Sequence, residues 1–333
     1  MKSTLLDLLD SLGRVRALVI GDLLLDHYIR GRVRRISPEA PVPVLEVESD
    51  AYTAGGAANV ALNLARLGVR TVAAGVLGDD EAGGRLREIL GAAGVACECL
   101  AAGANPPTII KTRIVAGNQQ VCRVDREAAP PAYQPDAAAL ERLPALMRGA
   151  DVVIFSDYAK GVFGQAFLDA CVSAAREVPG LFTAMDPKPA RRLEHSGIGL
   201  LTPNHSEAIA LAGLPPAGSC EPPLAALCES IHRQFAPENL VITLGADGMA
   251  LCRGGVVEKV MPTVAQEVFD VSGAGDTVIA VLSAAMASGA TLENAASLAN
   301  HAAGCVVAHA GTVPVRRDEL VRRISAHPIF AES

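Results

Sequence analysis

The sequence predicts an α/β fold: a doubly wound, mostly parallel sheet covered by helices, with a small β-strand lid. Short apolar runs alternate with stretches of helical periodicity along most of the chain, which is the β-α-β rhythm of a parallel sheet. Several of those runs end in polar residues, as at Gly21-Asp22 and Ser156-Asp157, and the carboxyl ends of parallel strands are where such sheets bind ligands. Two stretches, approximately 28–52 and 104–126, break the rhythm and read as the lid. With 333 residues, half of them hydrophobic, the chain can bury a large core, and 1–333 is expected to form one domain with those lid segments.

Met1 to Leu12 mixes Leu with Asp7 and Asp10 and reads as an amphipathic helix, not a signal peptide. Val15 to Ile20 is a buried strand, after which Asp22 is a candidate to accept hydrogen bonds from substrate hydroxyls and equally a turn aspartate. Arg30, Arg32, Arg34 and Arg35 then crowd together, a proline-rich turn follows, and Val42 to Val47 alternates like an edge strand. Arginines there protect an exposed edge or, beside a cleft, clamp a phosphate. Gly55 and Gly56 precede a helix that begins near Asn59 and stops at Gly68, an arrangement suited to a hinge and to contact with a polyol. A strand (71–77), a helix (81–93) and a strand (95–100) continue the alternation, and 108–115 with 120–125 form a hairpin. Helix 136–147, strand 151–155, a helix from Gln165, a strand from Leu181 and a short strand at 199–201 follow. Asn204 and Glu207, three residues apart on a helix start, can face one hydrated Mg²⁺ or form a capping box. After the proline-rich surface loop 213–223 come a strand at 239–244, the turn Gly245-Ala246-Asp247-Gly248, strands near 249–252 and 256–260, and closing helices at 292–309 and 312–326.

The densest chemistry lies at Asp270-Val271-Ser272-Gly273-Ala274-Gly275-Asp276-Thr277, directly before an apolar helical run. A helix opened by small residues presents free backbone N–H groups and a positive dipole end, and Gly273 and Gly275 allow a phosphate to approach them. Asp276 in the first turn suits a general base that takes a proton from an attacking hydroxyl; its plainer role is to complement the helix dipole. The loop lacks the third glycine of a dinucleotide fingerprint, and the chain has no P-loop.

Composition narrows the partners. A net charge of −7 argues against nucleic acid and anionic membranes, and no apolar run is long enough to span a bilayer. Aromatic residues make up only 3% of the chain and Trp is absent, so stacking platforms for bases are scarce. The eight scattered cysteines read as reduced thiols of a cytoplasmic protein, with no zinc-ligand spacing.

The Gly55-Gly56-x-x-Asn59 helix start and the Asp270–Thr277 loop, more than two hundred residues apart, resemble the two signatures of the ribokinase-like (PfkB) carbohydrate kinases. Arg35 to Val44, Asn118-Gln119-Gln120, Ser156 to Gly161, Asp186-Pro187-Lys188 and Met261-Pro262-Thr263 narrow the resemblance to the branch acting on heptose 7-phosphates in lipopolysaccharide-core synthesis. It runs from about Ala17 to Thr312 and implies a three-layer αβα sandwich, ATP and Mg²⁺ as cofactors, and a sugar phosphate as substrate. By the same resemblance Asp276 is the base, and the backbone of Ser272, Gly273, Ala274, Gly275 and Asp276 forms the anion hole. Asn204 and Glu207 organise Mg²⁺ and the ATP phosphates; Gly245, Asp247, Gly248 and Asn300 border the adenosine. Asp22, Gly55, Gly56 and Asn59 hold the sugar, and Arg35, Lys111, Arg113 and Lys160 are candidates for its phosphate. Many relatives carry a nucleotidyltransferase domain as well, and that step is expected to belong to another protein. A homodimer through the lid is expected because an exposed sheet edge favours a partner. Another sugar or nucleoside kinase and a non-catalytic sugar-phosphate sensor are the competing readings. The arginine-rich lid and low aromatic content disfavour a nucleoside, and the intact loop and Asp276 disfavour the sensor.

Overall fold

A computed structural model describes residues 2–103, 105–117, 119–190, 193–214, 222–265, 268–309 and 311–326. In chain order its strands are β1 (Arg16–Gly21), β2 (Leu23–Ile36), β3 (Pro43–Gly56), β4 (Arg70–Gly75), β5 (Ala96–Cys99), β6 (Ile109–Ala116), β7 (Gln119–Arg126), β8 (Val152–Ser156), β9 (Phe182–Asp186), β10 (Leu200–Leu201), β11 (Asn239–Thr243), β12 (Met249–Arg253) and β13 (Val256–Met261). The helices are α1 (Lys2–Ser11), α2 (Ala57–Arg66), α3 (Glu81–Ala92), α4 (Ala137–Met147), α5 (Gln165–Arg176), α6 (His205–Leu211), α7 (Leu224–Phe235), α8 (Ala274–Ala287), α9 (Leu292–Val306) and α10 (Arg317–Ala326).

Nine strands form one sheet in the order β13-β12-β11-β10-β9-β8-β1-β4-β5. All neighbours are parallel except β11-β12 and β12-β13. The period of two along a strand divides its side chains between two cores. In β1, Ala17 and Val19 pack with α1, α2, α8, α9 and α10, whereas Leu18 and Ile20 pack with α4, α5, α6 and α7. In β8, Val152 and Ile154 join the first core, and Val153 and Phe155 the second. Continuous apolar runs in both strands thus encode a sheet covered on both faces, the three-layer arrangement.

The lid is a four-stranded sheet in the order β3-β2-β6-β7. β2 leaves the body directly after Asp22, pairs antiparallel with β3 and parallel with β6, and places Asp26 beside Lys111 and Tyr28 beside Arg113. Its first four residues are buried and its last five exposed, so one strand joins core and lid.

Some boundaries differ from the sequence reading. The edge strand expected at 42–47 belongs to β3, which runs on to Gly56, because pairing with β2 resumes past a bulge at Glu48 and holds Ser49 and Asp50 opposite Arg30 and Ile29. Helix α7 was not anticipated; its start lies just past two prolines at the end of a presumed loop. The last two helices are shorter than expected, since Val307 and the segment before Arg317 are non-helical. Met1, Asn118 and most of the loop at 213–223 lie outside the described residues. The expectation of eight reduced thiols is corrected at one pair: α7 packs on β12, and buried Cys228 and Cys252, with Cα atoms 6.4 Å apart, are joined in a disulfide.

Candidate active site

The loop ahead of α8 is shaped by Asp270 and Gly273. The Asp270 carboxylate accepts from the Ser272 and Gly311 amides, both at 2.9 Å, and these bonds hold it below the usual carboxylate range despite partial burial. Gly273 then takes φ 80°, a left-handed conformation suited to glycine, and starts the helix. A Cβ there would lie 3.0 Å from Asn59 Nδ2 and 3.1 Å from Thr312 Cγ2. Of the five amides expected to form the anion hole, Ser272 N–H is bound to Asp270 and Ala274 N–H to the Val271 carbonyl. Those of Gly273, Gly275 and Asp276 have no backbone acceptor among the described residues, and they remain as donors for an anion.

Asp276 is 4% exposed. Its Oδ2 accepts from Asn59 Nδ2 at 2.7 Å, and its Oδ1 accepts from the Tyr158 hydroxyl. Burial raises the carboxyl to about 6; the bonds from Tyr158 and Asn59 oppose that rise, and the charge of Asp26 adds to it. The Tyr158 hydroxyl is itself pushed well above its ordinary value, by burial and then by the charges of Asp276 and Asp186, so it stays protonated and donates. Asn63 braces the arrangement from behind, accepting from the Thr277 hydroxyl at 3.0 Å and the Val315 amide at 2.9 Å. The result is a fixed carboxylate, ionised near neutrality, at the mouth of three free amides.

The β2-β6 junction faces this carboxylate. Arg113 Nη1 donates to Asp26 Oδ1 at 2.5 Å, and Gly55 leaves the space that Asp26 fills, since a Cβ there would lie 2.6 Å from Asp26 Oδ2. Gly56, at φ 58°, lets β3 turn directly into α2, which carries Asn59. Lys111 Nζ lies 5.7 Å from the Tyr158 ring centroid. Burial, and then the charges of Lys160 and Arg113 against that of Asp26, push its ammonium below the usual value. Lys160 pairs with Glu127 at 2.6 Å. Lys111, Arg113 and Lys160 thus form one cationic wall, and Arg35 is not in it. Nine residues beyond Asp26 along β2, and so roughly 30 Å away along the strand, Arg35 is exposed near the lid tip. Asp22 is fully buried. Its oxygens accept from the Tyr158, Lys160 and Val162 amides at 2.8–3.1 Å and shape the loop that presents Tyr158 and Lys160.

On the other side of the loop, Asn204 and Glu207 form the capping box: Asn204 Oδ1 accepts from the Glu207 amide and Glu207 Oε2 from the Asn204 amide, each at 2.9 Å. Glu207 Oε1 is paired with Lys188. Asp186 is pushed well above the usual carboxylate range by burial and by the charges of Glu207 and Asp276, with Lys188 opposing. A cavity of about 330 Å³ opens beside this cluster, lined by Gly245, Gly248, Ala274, Gly275, Asn300 and Val307 among others. Asn300 holds its wall, donating to the Pro262 carbonyl at 2.7 Å and accepting from the Val264 amide at 3.2 Å. Asp247 is exposed on the adjoining turn and is not part of the lining. Three larger surface hollows, against α5, against α10 and between α3 and the lid, share no residue with this loop.

Tyr158, Lys188, Asp186 and Asp26 were not picked out from the sequence as site residues. Their signal was position: each lies in or just past β2, β8 or β9, at the strand ends that face α8.

Residues 16–318 match the pfkB family of carbohydrate kinases. Bifunctional protein HldE of Pelobacter propionicus is 42% identical over 92% of this chain and 63% of its own length. Bifunctional protein HldE of Caulobacter sp. strain K31 is 43% identical over 96% of this chain and 65% of its own. The chain therefore spans less than two thirds of these relatives. Among solved structures, ribokinase of Arabidopsis thaliana complexed with ribose and ATP superposes with a TM-score of 0.70 at 21% identity, covering 94% of this chain and 99% of that one. Ribokinase from Giardia lamblia superposes at 0.73 with 20% identity, covering 93% and 98%. These show a shared fold. No described helix is long and apolar enough to cross a membrane.

Proposed function

The chain belongs to the pfkB family of carbohydrate kinases, and from that premise we propose that it transfers the γ-phosphoryl group of ATP to the anomeric hydroxyl of D-glycero-β-D-manno-heptose 7-phosphate. The observation that carries the chemistry is the buried Asp276 carboxylate, gripped by Asn59 and Tyr158 and flanked by free amides at the start of α8. The sugar rests on the motif resemblance and on 40–43% identity to proteins named bifunctional protein HldE.

In this reading the heptose lies between Gly55, Asp26 and Asn59 with its 7-phosphate toward Lys111, Arg113 and Lys160, and its O1 proton passes to Asp276. A base with a value near 6 is ionised at neutral pH yet still accepts a proton in the transition state. The amides of Gly273, Gly275 and Asp276 offset charge growing on the transferred group, and the lid keeps water from the donor. The adenosine occupies the cavity walled by Gly245, Gly248 and Asn300. The donor set fits Mg²⁺: no group of three or more ligating side chains is assembled among the described residues, but Mg²⁺ is commonly held by one or two carboxylates, waters and the substrate's phosphates. Glu207 and the buried Asp186 beside it would hold the hydrated ion, which would supply charge neutralisation. A homodimer through the lid fits the exposed apolar residues Val33, Ile36, Val47, Val121 and Val124, and a monomeric mass by light scattering would count against it.

The test is ADP release from the purified protein with ATP and Mg²⁺, offering the heptose 7-phosphate, fructose 6-phosphate, ribose and adenosine in turn. Turnover confined to the heptose phosphate supports the assignment. Turnover on another sugar keeps the mechanism and discards the substrate.

A further inference from the structure

β5 is an outer strand of the large sheet, hydrogen-bonded to β4 alone. Cys97 and Cys99 stand two residues apart on it, so both side chains point to one face. Arg87 of α3 reaches that face and directs both Nε and Nη2 at the Cys99 sulfur, each at 3.4 Å. Cys97 lies two residues away on the same strand and, like Cys99, is only partly buried. A guanidinium fork aimed at a sulfur is the surrounding of a thiolate rather than a thiol. The other charges nearby are Glu98, paired with Arg142, and Asp79 and Asp80, which act on Arg87. Cys97 and Arg87 outweigh burial and hold Cys99 down to about 5, while Cys97 is pushed up. Both sulfurs are only partly buried. Cys171 and Cys305, by contrast, are buried, and burial pushes both thiols up.

We propose that Cys99 is a peroxide-reactive thiolate and Cys97 its resolving thiol, forming an oxidative modification site separate from the kinase centre. In the first step the Cys99 thiolate sulfur attacks one oxygen of a hydroperoxide. An S–O bond forms, the O–O bond breaks, the sulfur is oxidised by two electrons to a sulfenic acid, and the peroxide is reduced, its departing hydroxide or alkoxide taking a proton from solvent to leave as water or alcohol. In the second, the Cys97 sulfur attacks the sulfenic sulfur, an S–S bond forms, and hydroxide departs with the Cys97 proton as water. Two residues along a strand separate Cα atoms by about 6.6–6.8 Å, at the upper end of the bridgeable range, and a strand with one free edge can pucker to close it.

A short unstructured peptide holding one cysteine is the reference thiol, added to the same reaction. The intact protein is alkylated with iodoacetamide across about pH 6 to 8, and each cysteine is followed by peptide mass spectrometry. The Cys99 rate is expected to stay nearly flat while that of the reference peptide climbs about tenfold per unit. At about pH 6 Cys99 leads by an order of magnitude or less, because a thiolate of low pKa is also a weaker nucleophile. Arg87→Gln gives Cys99 a steeper profile. Hydrogen peroxide then removes two hydrogens from the peptide holding both sulfurs, and in Cys97→Ser a dimedone adduct accumulates on Cys99. A Cys99 rate that climbs with pH like that of the reference peptide, or a wild-type protein that keeps both thiols free under peroxide, overturns the proposal.

Discussion

Replacing Tyr158 with phenylalanine removes one of the two side-chain hydrogen bonds on the Asp276 carboxylate and leaves the ring that packs between Lys111 and Lys188. A hydrogen bond to a charged group contributes about 1.5–3 kcal/mol, and each 1.36 kcal/mol is about one pKa unit. The bond from Tyr158 opposes the burial that brings Asp276 to about 6. Without it the carboxyl moves to roughly 7–8. The active form of a general base is deprotonated, so the change appears on the acid limb, where activity rises with pH. At about pH 7 the ionised fraction falls from roughly 0.9 to between 0.1 and 0.5, a loss of about 2- to 10-fold in kcat/KM that recovers above about pH 9. The assay is coupled ADP release across that range at low sugar concentration. An acid limb that stays at the wild-type position, or moves lower, refutes the assignment of Tyr158 as the donor that keeps the base ionised.

Three further perturbations test neighbouring parts of the site. Asp276→Asn is expected to lower kcat by about 10²–10⁴-fold. The folded-state value of Asp276, about 6, lies above the ordinary 3.8, so its charge destabilises the fold at neutral pH by on the order of 2–3 kcal/mol, a penalty that fades as pH falls through 6 toward 4. The variant should therefore melt above wild type near neutrality, and calorimetry should show the gap closing at about pH 4. Gly273→Ala places a Cβ against Asn59 and Thr312 at a positive φ, a strain of about 1–2 kcal/mol that lowers Tm and kcat together; an unchanged kcat would detach the loop from the chemistry. Lys111→Met should raise KM for the sugar phosphate by about 10- to 100-fold without moving KM for ATP, and a shift confined to ATP would place the cationic wall on the wrong substrate.

The parallel sheet was legible because β1 and β8 are apolar on both faces, and α8 because small residues lead straight into an apolar run. The pairing of Asn59 with Asp276 was not legible. Both residues were found, but nothing along the chain says that a helix start at 57 and another at 274 meet side by side. Asp22 shows the limit from the other side: an aspartate after a strand has the same spelling whether it takes a sugar hydroxyl or three backbone amides, and here it takes amides. The same ambiguity held for Asn204 and Glu207, whose spacing spells a capping box or a metal site alike; the capping box is present. Arg35 stood in a motif yet lies far along β2, because strand length turns a short sequence separation into a long distance. Tyr158 was hidden because its role depends on a hydroxyl reaching a carboxylate that arrives 118 residues later.

The position of transfer is the most direct test of the mechanism. D-glycero-β-D-manno-heptose 7-phosphate is incubated with ATP, Mg²⁺ and the protein, and the product is read by phosphorus NMR with coupling to the sugar protons. A second phosphate coupled to the anomeric proton, with the 7-phosphate intact and the signal lost in Asp276→Asn, is the expected result. A phosphate on any other hydroxyl, or an undiminished product in the Asn variant, contradicts the assignment of Asp276 as the base on O1.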